Sequence, residues 1–166
     1  MEAQYNLGNA LNKQGRTEEA IEYFLQVLRI KPDLDQAHNS LAIALLSKGS
    51  IEEAIAHFRK ALSINPDNIN IKNNLKKALM TQQKNSLGNA LDKQGHTEEA
   101  IKHFLEALRI KPDFDQAHNN LAIALFRKGN IEGAIAHFRK SLSINPDNIN
   151  VKKNLKKALM IQQENQ

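Results

Sequence analysis

The chain repeats itself at two levels, and this restricts its fold more than any single residue does. Residues 1–80 align without a gap to residues 81–160, with about three quarters of the positions identical. A period of 34 lies inside each copy. Leu7, Gly15, Ala20, Phe24 and Pro32 return as Leu41, Gly49, Ala54, Phe58 and Pro66. They return again as Leu87, Gly95, Ala100, Phe104 and Pro112, and as Leu121, Gly129, Ala134, Phe138 and Pro146. Each copy thus holds two full units and the first residues of a third. A unit this short cannot hide its own apolar side, so neighbours must stack to form a continuous core. The stretch Ile161-Gln162-Gln163-Glu164-Asn165 echoes Thr81-Gln82-Gln83-Lys84-Asn85. The echo leads us to expect a segment of a longer array.

Each 34-residue unit reads as a helical hairpin. In residues 37–48, His38, Leu41, Ala42 and Leu45 fall three and four apart, which is one face of a helix. Gly49 supplies the left-handed residue that ends it. Ser50 with Glu53 predicts a capping box for the second helix, with Thr17, Thr97 and Asn130 in the same role. Apolar residues recur at Ala54, Ile55, Phe58, Ala61 and Leu62 until Pro66 prevents continuation. Asp33, Asp67, Asp113 and Asp147 are then expected to cap the following helices.

The pattern Leu7-Gly8…Leu11…Gly15…Ala20…Phe24…Val27…Pro32 resembles the tetratricopeptide repeat (TPR), four times over residues 1–34, 35–68, 81–114 and 115–148. The resemblance implies an all-α, right-handed superhelical solenoid of antiparallel helix pairs. Small residues at Gly8, Ala42, Gly88 and Ala122, and at Ala20, Ala54, Ala100 and Ala134, suit close helix approach. At repeat position 4 the family's bulky aromatic is replaced by Gln4, His38, Lys84 and His118.

Two domains follow, 1–80 and 81–166, each ending in a helix beyond its second hairpin: 69–80 in the first and a capping helix over 149–166 in the second. Between Ile69 and Gln94 there is no proline, and the only glycine is Gly88. With no stop signal, one unbroken helix over 69–94 is expected. A break near Thr81–Asn85, where the apolar face lapses, is the alternative. The final helix carries Leu155, Leu159, Met160 and Ile161, and the first presents Tyr5. Open solenoid ends of this kind point to self-association through the terminal helices.

Catalysis has little to stand on. The absence of cysteine excludes disulfides, thiol chemistry and Cys-ligated metals. His38 and His118 are repeat equivalents, as are His57 and His137, which argues for packing or surface roles. No HExxH and no phosphate-binding glycine loop is present. We therefore expect no enzyme activity, no metal and no cofactor. No apolar run reaches the ~20 residues of a membrane helix, and Met1-Glu2-Ala3-Gln4 lacks the features of a signal peptide. A cytoplasmic protein with no membrane partner is the expectation. The net charge is +5, and Lys152, Lys153, Lys156 and Lys157 share a helix face. Without interleaved aromatics this stripe reads as a solvated capping face in preference to a nucleic-acid site.

The resemblance implies a concave surface lined by the first helices at repeat positions 2, 5, 6, 9 and 12. Those positions bring in Tyr5, Asn6, Asn9, Asn39, Ser40, Asn73, Asn74, Asn85, Ser86, Asn89, Asn119, Asn120, Lys153 and Asn154, with Leu46 and Phe126 shaping the floor. Asparagine is a poor helix former, yet its amide both donates and accepts and so can hold a peptide backbone. The arrangement is similar to the asparagine ladder in the TPR region of O-GlcNAc transferase. A merely hydrated face is the other reading. The two-carboxylate clamp of chaperone-binding TPR domains needs cations where this chain has Tyr5, Asn70, Asn74, Asn85, Asn150 and Asn154. A C-terminal carboxylate would lose its charge-assisted bonds there. The expected partner is therefore a protein or peptide segment lying in the groove; the competing classes are a structural unit that assembles with its own kind, end to end or by swapping, and a targeting domain cut from a larger protein.

Overall fold

The computed structural model describes residues 1–164. Among them are nine α-helices and no strand. In chain order these are α1 (Glu2–Lys13), α2 (Thr17–Ile30), α3 (Asp35–Lys48), α4 (Ile51–Ile64) and α5 (Ile69–Lys93), then α6 (Thr97–Ile110), α7 (Asp115–Arg127), α8 (Ile131–Ile144) and α9 (Ile149–Glu164). The last two residues of the capping helix expected over 149–166, Asn165 and Gln166, lie outside the described residues. The chain divides into two compact units, residues 1–79 and 80–166, with α5 running from one into the other.

In each unit the helices pack in sequence, α1 on α2, α2 on α3 and α3 on α4 in the first, and α6 on α7, α7 on α8 and α8 on α9 in the second. Each hairpin closes around one phenylalanine: Phe24, Phe58, Phe104 and Phe138 are all buried. The small residues sit where the rings need room. A Cβ at Gly8 would lie 2.8 Å from the Phe24 ring, and one at Gly88 would lie 2.6 Å from Phe104. Ala42 and Ala122 are fully buried at the same repeat position. At Lys76 in α5 and Lys156 in α9 that position holds an exposed lysine. No second helix could pack there as α2 packs on α1, because a four-carbon stem would have to fit where only hydrogen or methyl fits.

Turn chemistry departs from expectation at the caps. Gly15, Gly49, Gly95 and Gly129 do adopt φ between 78° and 91°, the region that ends a helix cheaply only with glycine. The N-cap of α2 is Arg16 and that of α6 is His96, so Thr17 and Thr97 are first helical residues and not caps. Ser50 caps α4 by position but makes no side-chain bond to it. Only Asn130 does so among these four second helices, accepting from the Gly133 backbone N–H at 2.9 Å. A Cβ at Gly133 would crowd that very amide at 2.8 Å. The aspartates are not caps either. Leu34 and Phe114 occupy the N-cap positions of α3 and α7, while Asn68 and Asn148 accept from Ile71 and Val151 backbone N–H at 3.2 Å. Asp33 and Asp113 instead accept from Lys60 and Lys140 across the hairpin. The Pro–Asp turn places each aspartate one residue before the N-cap position.

In the second and fourth repeats the family's missing aromatic is replaced by paired histidines. His38 Nδ1 lies 3.0 Å from His57 Nδ1, and His118 Nδ1 lies 2.9 Å from His137 Nδ1. In both pairs the other ring nitrogen of the first histidine faces a carbonyl, Pro32 or Pro112 O, at 2.9 Å. A carbonyl only accepts, so that Nε2 carries hydrogen, and in the neutral pair Nδ1 of His38 accepts from Nδ1–H of His57. One extra proton fits on the far side of His57, but two positive rings would set N–H against N–H. Burial holds His57, His118 and His137 below the ordinary histidine value, with the partner ring's charge adding to this at His57 and His137. The folded state therefore binds fewer protons than the unfolded chain once the pH falls below about 6.5. Stability is complete above that value and falls as the pH drops through the lowered native values. Thermal melts between pH 7.5 and 5 should show Tm decreasing, and His57→Gln with His137→Gln should flatten the decrease. The lowered carboxylates Glu98, Glu106 and Asp113 act in the same direction, but in a separate window below pH ~4.5.

Candidate functional site

The first helix of each hairpin presents its polar positions to the first helix of the next, and the register is 35 residues. Position 5 of one helix meets position 6 of its neighbour. Tyr5 Oη and Ser40 Oγ are 3.1 Å apart, Asn74 Nδ2 donates to Asn39 Oδ1 at 3.4 Å, and Asn120 Nδ2 donates to Asn85 Oδ1 at 3.0 Å. Tyr5 also tilts its ring onto Phe24, with centroids 6.0 Å apart. Thus six residues anticipated as ligand donors already bond one another. Asn85 is buried in doing so. The fourth such pair, Asn119 with Asn154, is not bonded among the described residues, and Asn119 Oδ1 is buried without a partner.

Two cavities lie along these faces, one in each unit. In the first unit, Asn9, Asn12 and Lys13 of α1 with Ser40 and Ile43 of α3 enclose about 360 Å³. Asn12 Oδ1 is buried there without a partner. In the second unit, Ile123, Phe126 and Arg127 of α7, Phe138 of α8, and Asn154 and Lys157 of α9 enclose about 220 Å³. The Lys157 ammonium stands 5.6 Å from the Phe126 ring centroid, within cation–π range. Arg127 is paired with Asp92 of α5, whose other oxygen accepts from Thr97 Oγ1 at 3.3 Å.

The anticipated residues therefore separate into groups. Asn9, Ser40, Phe126 and Asn154 line cavities, and Asn89 is half-buried at the position equivalent to Asn9. Asn6 and Asn73 are exposed, Leu46 is half-buried, and Lys153 is exposed one turn before the lysine that lines the cavity. Sequence reasoning missed Asn12 and Lys157 as site residues. Asn12 stands at repeat position 12, which was read only for its large apolar members. Lys157 was read only as part of a charged stripe. Its place four residues after Lys153 was the available signal, because it puts both on one helix face.

A stack of helical hairpins with a polar, partly hollow first-helix face is a helical-repeat scaffold, a class that works by holding other proteins. Among the described residues no cluster of three or more His, Asp or Glu could hold a metal, and no helix is long and apolar enough to cross a membrane. Tetratricopeptide repeat family profiles match residues 1–67, 33–113 and 85–149. The chain belongs to the tetratricopeptide repeat family, and it is an all-α TPR solenoid and a protein-interaction scaffold. Among solved structures, the P58(IPK) TPR domain aligns with 99% of this chain and 56% of its own length, at 16% identity and a TM-score of 0.56, and shares the fold. The pilF protein of Pseudomonas aeruginosa aligns with 98% of this chain and 69% of its own, at 25% identity and a TM-score of 0.45. A chain of the APC/C Cut9–Hcn1 hetero-tetramer aligns with 94% of this chain and 29% of its own, at 25% identity and a TM-score of 0.49. No curated protein matches significantly.

Proposed function

We propose that the chain is a non-catalytic scaffold that holds an extended peptide segment along its first-helix face, gripping the backbone with asparagine amides. The observation that carries this is the division of the asparagines. Asn39, Asn74, Asn85 and Asn120 bond between helices, whereas Asn6, Asn9, Asn73, Asn89 and Asn154 have no bonded partner among the described residues. Two buried acceptors, Asn12 Oδ1 and Asn119 Oδ1, sit beside the open ones. The bonded pairs hold the face rigid, which lowers the entropy lost on binding.

Peptides selected on the full chain from a displayed random library supply the probe. Asn9→Ala with Asn89→Ala should weaken their binding by about tenfold or more, taking about 1 kcal/mol for each lost hydrogen-bonding side chain. The far-ultraviolet circular dichroism should not change. Unchanged affinity in the double variant would remove the asparagines from the site, and failure of the library to yield any binder would remove the peptide groove itself.

A further inference from the structure

The two 80-residue copies have diverged unevenly, and the differences on the first-helix face change its chemistry. Asn12, Leu46, Ser47 and Asn73 of the first copy are Asp92, Phe126, Arg127 and Lys153 in the second. Each exchange replaces a small or neutral side chain by a larger or charged one. Arg127 and Asp92 neutralise each other, so the added charge that remains is Lys153. It joins Lys152, Lys156 and Lys157 on α9, none of which meets a carboxylate among the described residues.

We propose that the cavity of the second unit takes an apolar side chain of a peptide that carries a carboxylate beside it. This rests on the reading of the face as a peptide site, and adds what the second unit selects. Ile123, Phe126 and Phe138 give the cavity apolar walls, and its volume of about 220 Å³ suits one side chain of leucine or phenylalanine size. Lys157 lines the same cavity, its ammonium over the Phe126 ring. Its three donors exceed what the aromatic face uses, so a carboxylate next to the inserted side chain finds a charge-assisted bond. Asn154 lines the same cavity with its amide unbonded, and Asn119 Oδ1, its counterpart on α7, is the buried acceptor that lacks a donor. The Asn154 amide meets a peptide N–H or C=O there, with Asn119 as its immediate neighbour in the register. The inter-helix bond made at the three other equivalent positions is absent at the one place where apolar wall, cation and open amide coincide. In the first unit the same positions hold Leu46 and Ser47, and Lys77 is already engaged.

Four fluorescein-labelled nonapeptides test the assignment on the full chain, with a central leucine or glycine flanked by aspartates or by lysines. Titrations are followed by anisotropy and by the side-chain amide signals of ¹⁵N-labelled protein, which detect binding even at millimolar Kd. The aspartate–leucine peptide should bind at least tenfold more tightly than the other three and shift the Asn119 and Asn154 signals. Phe126→Ala and Lys157→Gln should each weaken it about fivefold to tenfold, and Lys157→Gln should also reduce its salt dependence. Leu46→Ala in the first unit should weaken it clearly less than Phe126→Ala does. Phe126→Leu retains an apolar floor if the alanine variant unfolds, and should lose less than Lys157→Gln does. Equal binding of the lysine–leucine peptide, or equal loss in Leu46→Ala, would overturn the assignment while leaving a peptide groove in place. Library-selected peptides that bind while none of these four does would overturn it too. If no peptide of either kind binds, the broader reading fails with it.

Discussion

Phe104→Ala is expected to cost about 3–5 kcal/mol of folding stability, enough to consume a large share of what a domain of this size possesses. The ring is 1% exposed and packs with Ala100, Leu121 and Ala124, while Leu91, Ile101, Leu108 and Leu125 lean on the same cluster. Its other side faces Gly88, so close that even a methyl group on that glycine would overlap it. Deleting the ring removes its burial and also leaves a void that two rigid helices cannot close. Urea denaturation of the full chain followed by circular dichroism reads the loss. The neighbouring Leu105 is 50% exposed, and Leu105→Ala should stay within about 0.5–1 kcal/mol of the parent. Equal losses at the two positions would mean that the hairpin is not closed around its phenylalanine.

Gln83→Pro carries the second large effect. Gln83 is exposed and lies in the middle of α5, fourteen residues from its first residue and ten from its last. Proline there removes a backbone donor and collides with the carbonyl one turn earlier, at a cost of about 3 kcal/mol or more. Gln83→Ala changes the same surface without touching the backbone and should be neutral or slightly stabilising. We propose that α5 is unbroken in solution, and the difference between these two variants in melting temperature measures that directly. A proline variant as stable as the alanine one would place a turn at residues 81–85.

The fold was legible because every repeat states it again. One unit with Gly49 and Pro66 suggests a hairpin, and four in register leave no competing periodicity. The glycine stops and the buried phenylalanines are found where the pattern puts them. The N-caps were not legible at that precision. Ser, Thr and Asp all have capping chemistry, and a displacement of one residue, as at Thr17 against Arg16, separates a cap from a helical residue. The histidines show a different limit. Their recurrence marked them as structural, but Nδ1–Nδ1 pairing joins His38 to His57 across nineteen residues, through the angle between two helices that no spacing rule encodes. The same holds for the site. Composition on one face identified the asparagines, and only the 35-residue register showed which of them bond each other.

The lysines at 76 and 156 bear on how such a molecule can lengthen. A helix whose crowded spot holds lysine refuses the next partner, so a 34-residue brick inserted after either one would have no seat. An eighty-residue brick brings its own closing edge and leaves every existing joint as it was. Copies joined at these two helices are therefore seated as whole modules and not as single hairpins, in keeping with the longer of the two periods written in the chain.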